Sequence, residues 1–238
     1  ADRTQMRNII TVCKRGFKRT RMYTSAHVNI MKNMLDRNGC EYDNFICISD
    51  QTDGMPSDIE LIAIPDIPQH KGWWSKIETF NPKLPVIGEC LYIDLDCVVV
   101  DNIDCLWEYE PGGPVKLINV SDFYAEQLGY QFNSSVYRYR ISDFEHIWWD
   151  YRTKWEYIQR KYPWGDEKYT CELDKKSKMF PKEWIINYEH VILQEGKHHM
   201  QSVKRDIELS VLPEQAKIVV FAGGHKPWKC KDLTIQEH

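Results

Sequence analysis

The residues best placed to do chemistry are Asp94 and Asp96, in the segment Tyr92-Ile93-Asp94-Leu95-Asp96-Cys97-Val98-Val99-Val100. Strand side chains alternate with a period of two, so in extended backbone these carboxylates point the same way. Apolar runs flank them on both sides, and two like charges in such surroundings are costly unless a cation is shared between them. A divalent ion that prefers oxygen ligands, Mn²⁺ or Mg²⁺, removes that cost by bridging the pair to the phosphates of a ligand. The plainer alternative for an Asp-x-Asp pattern is an acidic pair exposed at a turn.

The elements that must position this pair are read from periodicity. Residues 8–13 form a short β-branched run, the mark of a buried strand. A helix follows from Tyr23, with Ala26, His27, Ile30, Met31, Met34 and Leu35 on its apolar face and Asn38-Gly39 as its stop. Residues 45–49 and 59–64 are the next strands, the second halted by Pro65. Strand, helix, strand, strand with short connections opens an α/β sheet. Val86-Ile87 and residues 90–93 lead up to Asp94, residues 97–100 continue beyond Asp96, and residues 102–107 make a helical turn. Residues 115–120 and 132–139 supply later strands. Phe144, Ile147, Trp148, Tyr151, Trp155 and Ile158 lie on one face of an amphipathic helix, and residues 217–221 form a last strand broken by Gly223-Gly224. With no internal repeat and no Gly/Ser-rich linker, residues 1–238 read as one domain.

Composition narrows the class. A chain of 238 residues, 42% hydrophobic and 28% charged, is an ordinary globular protein rather than a disordered one. Nine tryptophans and thirteen tyrosines are in excess, and such rings fill cores or line clefts for sugars and bases. The formal charge of -4 argues against a globally basic nucleic-acid binder. Two local basic clusters remain, Lys14, Arg15, Lys18, Arg19 and Arg21 in one and Lys226, Lys229 and Lys231 in the other, either solvated loops or phosphate contacts. The eight cysteines contain no Cys-x-x-Cys pair, and several sit in apolar runs as reduced, hydrophobe-like side chains. No apolar stretch approaches membrane-spanning length and no signal segment opens the chain, so a cytoplasmic setting without a membrane span is expected.

Five segments in order give the chain a family likeness. They are the first strand with its helix from Tyr23, Trp74-Ser75-Lys76-Ile77, the stretch from Tyr92 to Asp104, Phe132-Asn133-Ser134-Ser135-Val136-Tyr137, and, after Gly165-Asp166-Glu167, the stretch from Ala216 to Lys226-Pro227-Trp228. The chain resembles glycosyltransferase family eight, the retaining group with the GT-A fold that includes glycogenin and bacterial lipopolysaccharide galactosyltransferases. The resemblance implies a Rossmann-like α/β/α sandwich with a mixed central sheet, a nucleotide-binding part over about residues 8–105 and a sugar and acceptor part over about 106–238.

It also implies roles. Asp94 and Asp96, with Leu95 between them, would hold the metal that offsets the charge of a UDP-sugar's diphosphate. Lys226, with backbone amides near Gly223 and Gly224, would grip the same phosphates. Thr11, Cys13 and Tyr23 would line the nucleotide end at the tip of the first strand. Lys76, Asn133 and Asp166 would contact the transferred sugar, Asp166 nearest the reacting carbon, and Ser134 and Glu167 would also bind the donor. Three positions depart from the family pattern: Ser135 stands for a glycine, Glu167 for a glutamine, and Val220 for the histidine that completes the metal site, which leaves His225 as the nearby substitute ligand.

The activity expected on these grounds is metal-dependent, retaining transfer of a sugar from a UDP-sugar to a carbohydrate or protein acceptor. Two alternatives stand beside it. One is a DNA glycosyltransferase of the kind some bacteriophages carry, motivated by the basic residues from Lys14 to Arg21 and the tryptophan-rich stretch from Trp148 to Trp164. The other is a non-catalytic module that binds nucleotide sugars, favoured if Val220 abolishes metal binding.

Overall fold

The computed structural model describes residues 5–14, 23–110, 118–120, 133–174, 178–188, 212–221 and 226–230. Its first strand, β1 (Arg7–Cys13), is flanked in parallel by β2 (Asn44–Ser49) and by β4 (Glu89–Ile93), so that Ile9 lies between Phe45 and Leu91. The edge strand β3 (Glu60–Ala63) extends the parallel group beyond β2. On the other side β7 (Asn133–Tyr139) runs antiparallel to β4, and β6 (Ile118–Val120) and β8 (Lys178–Met179) complete a mixed sheet of order β3-β2-β1-β4-β7-β6-β8. A parallel pair needs a crossover, and α1 (Ser25–Arg37) supplies it between β1 and β2. The sheet grows away from β1 first toward β2 and then toward β4. At such a switch point open α/β sheets leave a crevice beyond the carboxyl ends of the strands.

The chain leaves this sheet immediately after β4. Strand β5 (Cys97–Val99) pairs antiparallel with β10 (Ile218–Val220), and β10 pairs in parallel with β9 (Ile185–Asn187), forming a separate three-stranded sheet. One core joins α1, this small sheet and the short α2 (Cys105–Glu108) to the Ile9 and Leu91 face of the large sheet. A second core covers the opposite face, where Trp74, Phe80 and Trp148 pack on Ile10, Ile46, Tyr92 and Tyr137. Its outer layer is the 3-10 segment Gly72–Phe80 together with α3 (Ile141–Lys161) and α4 (Asp166–Leu173). The architecture is the α/β/α sandwich with a mixed central sheet expected from the sequence.

Several boundaries differ from the sequence reading. Helix α1 buries Val28, Met31, Met34 and Leu35, whereas Ile30 is 54% exposed, so the buried face is rotated away from Ala26 and Ile30. Residues 86–87 do not extend β4, because Gly88 turns the chain at φ +102°, where a Cβ would sit 2.3 Å from the Met6 carbonyl oxygen. Helix α3 is interrupted at Lys154 by non-helical backbone, although its buried face of Phe144, Ile147, Trp148, Tyr151 and Ile158 is continuous. The eight cysteines are free thiols.

Two buried charges fasten the layers. Arg138 on β7 donates from Nη1 to the carbonyl oxygens of Leu106 and Trp107 and from Nη2 to that of Tyr109, which caps the C-terminal end of α2. Glu78 accepts from His70 Nε2 (2.8 Å) and Trp148 Nε1 (3.1 Å) on one oxygen and from Asn81 Nδ2 (2.8 Å) on the other, tying Gly72–Phe80 to α3. Burial pushes the Glu78 carboxyl up, but the hydrogen bond and charge of His70, with Trp148 and Asn81, outweigh it and hold the group below the usual carboxylate range.

Arg138→Met keeps the side chain's length while withdrawing the donors from three carbonyls. It is expected to cost about 2–4 kcal/mol in urea unfolding at unchanged m-value, and a loss under about 0.5 kcal/mol would deny the cap its role. For Glu78 the folded pKa lies below the unfolded value, so its stabilisation is complete above about pH 4.5 and disappears as the pH falls through the folded pKa. Wild type should therefore exceed Glu78→Gln in stability at pH 7. That gap should close in urea melts taken below about pH 4, and a gap constant from pH 7 to 3 would contradict the ion pair.

Candidate active site

Asp94 is the first residue beyond β4, and its N–H donates to the Ser135 carbonyl on β7 (2.9 Å). Three residues later the chain has already turned, with Cys97 N–H donating to the Asp94 carbonyl (3.1 Å). The pair therefore occupies a tight turn between two sheets rather than the extended backbone expected, because β4 and β5 belong to different sheets. It is nevertheless not an exposed acidic turn: Asp96 is buried, and Leu95 between the two acids is anchored in the core beside α1.

Each carboxylate is answered by a lysine. Asp94 Oδ2 accepts from Lys76 Nζ (2.7 Å) and its Oδ1 from the Tyr92 hydroxyl (2.6 Å). Asp96 Oδ2 accepts from Lys226 Nζ, and the Tyr23 hydroxyl also bonds to Asp96. Burial raises the Asp94 pKa; the Lys76 ammonium pulls it back, and the Asp96 charge pushes it up again. For Lys76 burial acts downward, but Asp94, then Asp166 and Glu167, overcome it and keep the ammonium firmly protonated.

The sugar-side residues predicted from the sequence gather on the opposite flank of Lys76. Its Nζ also reaches the Ser134 hydroxyl (3.2 Å) and carbonyl (3.3 Å). Asp166 opens α4, is buried, and has its pKa raised by that burial against the opposing Lys76 charge and a hydrogen bond from Ser134. Glu167 Oε1 accepts from Asn133 Nδ2 (2.8 Å) and from the Ser134 N–H (3.3 Å), while Asn133 Oδ1 accepts from the Ser135 N–H (2.8 Å). The Asn133 amide is thereby fixed in orientation.

At the end expected from the sequence to take the nucleotide, Thr11 and Cys13 have fully buried side chains on the β1 tip, and Thr11 Oγ1 has no hydrogen-bond partner among the described residues. Tyr23 is held by edge-on contacts with His27 (5.7 Å between centroids) and Trp228 (5.9 Å). The latter carries the segment of Lys226 against α1. Lys14 is not a free surface cation: it is buried and paired with Asp50 (2.7 Å) and Asp66 (2.5 Å), while Arg15, Lys18, Arg19 and Arg21 lie outside the described residues. Lys229 is exposed and Lys231 lies outside the described residues.

The donor set can be tested for a divalent ion. Among the described residues no third His, Cys, Asp or Glu joins Asp94 and Asp96 as a ready ligand. Val220 is buried in β10 opposite Cys97, and His225, Gly223 and Gly224 lie outside the described residues. Asp94 and Asp96 nevertheless offer carboxylate oxygens of the kind a divalent ion takes, and would hold it on giving up their bonds to Lys76 and Lys226.

Two groups of contributors were not read from the sequence. Tyr92 and Tyr137 stack at 4.6 Å, and Thr79 donates to the Lys76 carbonyl (2.7 Å) while facing the Tyr137 hydroxyl (2.9 Å). The signal available was a run of alternating tyrosines on β7 and a threonine three residues after Lys76, too common to single out.

No protein-family model matches the chain, and no curated protein matches it in sequence. Solved structures do. An active-site mutant of LgtC superposes with a TM-score of 0.66 at 12% identity over 97% of this chain and 93% of that one. The galactosyltransferase LgtC in complex with donor and acceptor sugar analogues gives 0.65 at 12% identity over the same shares. The glycosyltransferase GlyE of Streptococcus pneumoniae TIGR4 gives 0.63 at 15% identity over 95% of this chain and 57% of that one. The likeness runs through the mixed sheet and the layers on both its faces, and it establishes that this chain has the GT-A glycosyltransferase fold.

Proposed function

We propose that the protein is a glycosyltransferase that moves a sugar from a UDP-sugar donor to an acceptor hydroxyl. The observation that carries this reading is the meeting of Asp94, Asp96, Lys76 and Lys226 beyond the carboxyl end of β4, at the switch point of a GT-A sheet. A site that holds acids and ammonium groups together suits a diphosphate accompanied by a metal ion better than either partner alone. Asp94 and Asp96 would hold Mn²⁺ or Mg²⁺, which when bound supplies Lewis-acid stabilisation of the departing diphosphate.

The chain's own residues do the remaining work. Lys226 exchanges its bond to Asp96 for a phosphate oxygen, and Lys76 stays between the donor sugar and the buried Asp166. Asn133, its amide fixed by Glu167 and the Ser135 N–H, offers a second amide hydrogen to a sugar hydroxyl. In the transfer the bond from the anomeric carbon to the diphosphate breaks with its electron pair on the diphosphate. A bond to the acceptor oxygen forms and the acceptor's proton passes to the departing diphosphate. Retention of anomeric configuration belongs to this proposal on the strength of the family resemblance, as does the UDP moiety. A carbohydrate acceptor is preferred to DNA because Lys14, first of the basic cluster that motivated DNA, already spends its charge on Asp50 and Asp66.

Asp96→Asn preserves volume and the turn but removes one metal-binding charge. It should lower UDP-sugar turnover at least about tenfold, the equivalent of ~1.4 kcal/mol, with an unchanged circular dichroism spectrum. Activity above about a tenth of wild type would count against the metal role. With Val220 buried, a nitrogen ligand must come from elsewhere, and His225 is five residues further along the chain. His225→Ala should weaken Mn²⁺ binding in the presence of UDP about tenfold or more by calorimetry. Equal affinities would mean that water completes the coordination sphere.

A further inference from the structure

We propose that the exposed indole of Trp73 is the platform on which the acceptor stacks, and that the acceptor there is a pyranose ring. This rests on the glycosyltransferase reading above and adds to it the chemical class of the second substrate.

In the 3-10 geometry of Gly72–Phe80, side chains three residues apart eclipse one another. Trp73, Lys76 and Thr79 therefore share one edge of the segment. That edge runs outward from the core: Thr79 is fully buried at Tyr137, Lys76 reaches Asp94 and Ser134, and Trp73 is 43% exposed. Trp73 thus stands one 3-10 turn to the solvent side of the lysine at the donor sugar.

Its position is fixed by backbone contact. Gly165 adopts φ +125°, and a Cβ added there would lie 3.1 Å from Trp73 Nε1 and 3.2 Å from Cδ1, so the indole rests directly on the glycine that precedes Asp166. The neighbouring Trp74 carries the core packing, being buried and stacked on Tyr151 at 5.2 Å. Trp73 is therefore a half-exposed aromatic face one 3-10 turn from Lys76, seated on the glycine before Asp166 and without a core role to account for it. The diphosphate end of the crevice lies toward Asp96 and Lys226, on the other side of Lys76. The partner that enters from solvent at the sugar end meets Trp73. The apolar C–H face of a pyranose is the surface that an indole covers, and the hydroxyl at its edge is left directed at the donor.

The experiment uses wild type, Trp73→Ala and Trp73→Tyr with Mn²⁺ and UDP-glucose or UDP-galactose, offered lactose, maltose or methyl β-D-glucopyranoside. Donor hydrolysis without acceptor is recorded separately from transfer, so that a wild type inert toward every donor strikes the glycosyltransferase reading and not the platform. Saturation-transfer NMR with the same saccharides and UDP reads binding without turnover. The expected result is saccharide signal in wild type that is lost in Trp73→Ala. The ratio of transfer to hydrolysis should fall about tenfold in Trp73→Ala and recover to within about threefold of wild type in Trp73→Tyr. The proposal is overturned if no saccharide contacts the wild-type protein, if the ratio is unchanged in Trp73→Ala, or if a duplex oligonucleotide or a peptide is the acceptor whose transfer depends on Trp73.

Discussion

Two carboxylates side by side in a nearly dry turn must be answered by positive charge, and much of this fold is arranged around that answer. Lys76 comes from the layer over one face of the large sheet, and Lys226 from the chain beyond the small sheet. Neither pairing removes the whole burden, because Asp166 and Glu167 add two further acids on the flank of Lys76. The raised pKa values of Asp94 and Asp166 express the remaining cost. An acid whose folded pKa lies above its unfolded value destabilises the protein once the pH exceeds the unfolded value. Lys76 works the other way, since the same acids hold its ammonium protonated, and it pulls both carboxyl groups back down.

That cost is tolerated because neighbouring groups leave the acids little freedom. The Lys76 carbonyl is held by the Thr79 hydroxyl, which faces the Tyr137 hydroxyl; Tyr137 stacks on Tyr92, and Tyr92 donates to Asp94. A closed path thus runs from the lysine back to its own carboxylate through two strands and the 3-10 segment. The buried Glu78 and His70 pair clamps the same segment to α3. Nine residues of 3-10 helix are unusually long, and the hydroxyls of Ser75 and Thr79, each bonded to the carbonyl three residues earlier, help the segment to persist.

The extent to which the sequence revealed this is uneven, for physical reasons. Strands β1, β2 and β10 were legible because strands covered on both faces read as apolar runs. Asp94, Asp96 and Lys76 were legible because acids or a lysine stood out against such runs or within a recurring motif. The segment Gly72–Phe80 was not, since a 3-10 period over nine residues leaves no amphipathic signature, and α4, β8 and β9 are too short to carry one. The bend of the Asp-x-Asp segment out of extended backbone depends on β5 choosing β10 as its partner, a tertiary decision to which local pattern is blind. For the same reason no reading of spacing could show that Lys226 closes on Asp96.

The crossing from one sheet to the other also sets a timetable for the protein's synthesis. Strands β1 to β4 and helix α1 can assemble from neighbouring segments as they leave the ribosome, but β5 has no strand partner until β10 arrives. Lys226 and Asp96 are 130 residues apart in the chain. At about 5–20 residues per second, several seconds of translation separate the acidic turn from the lysine that neutralises it. During that interval the nascent chain carries an unpaired Asp96 and an unsatisfied edge on β5. The interval exposes the growing chain to mispairing and ends with the docking of its last strand. A prematurely terminated chain would lack Lys226, the cation that meets Asp96, altogether.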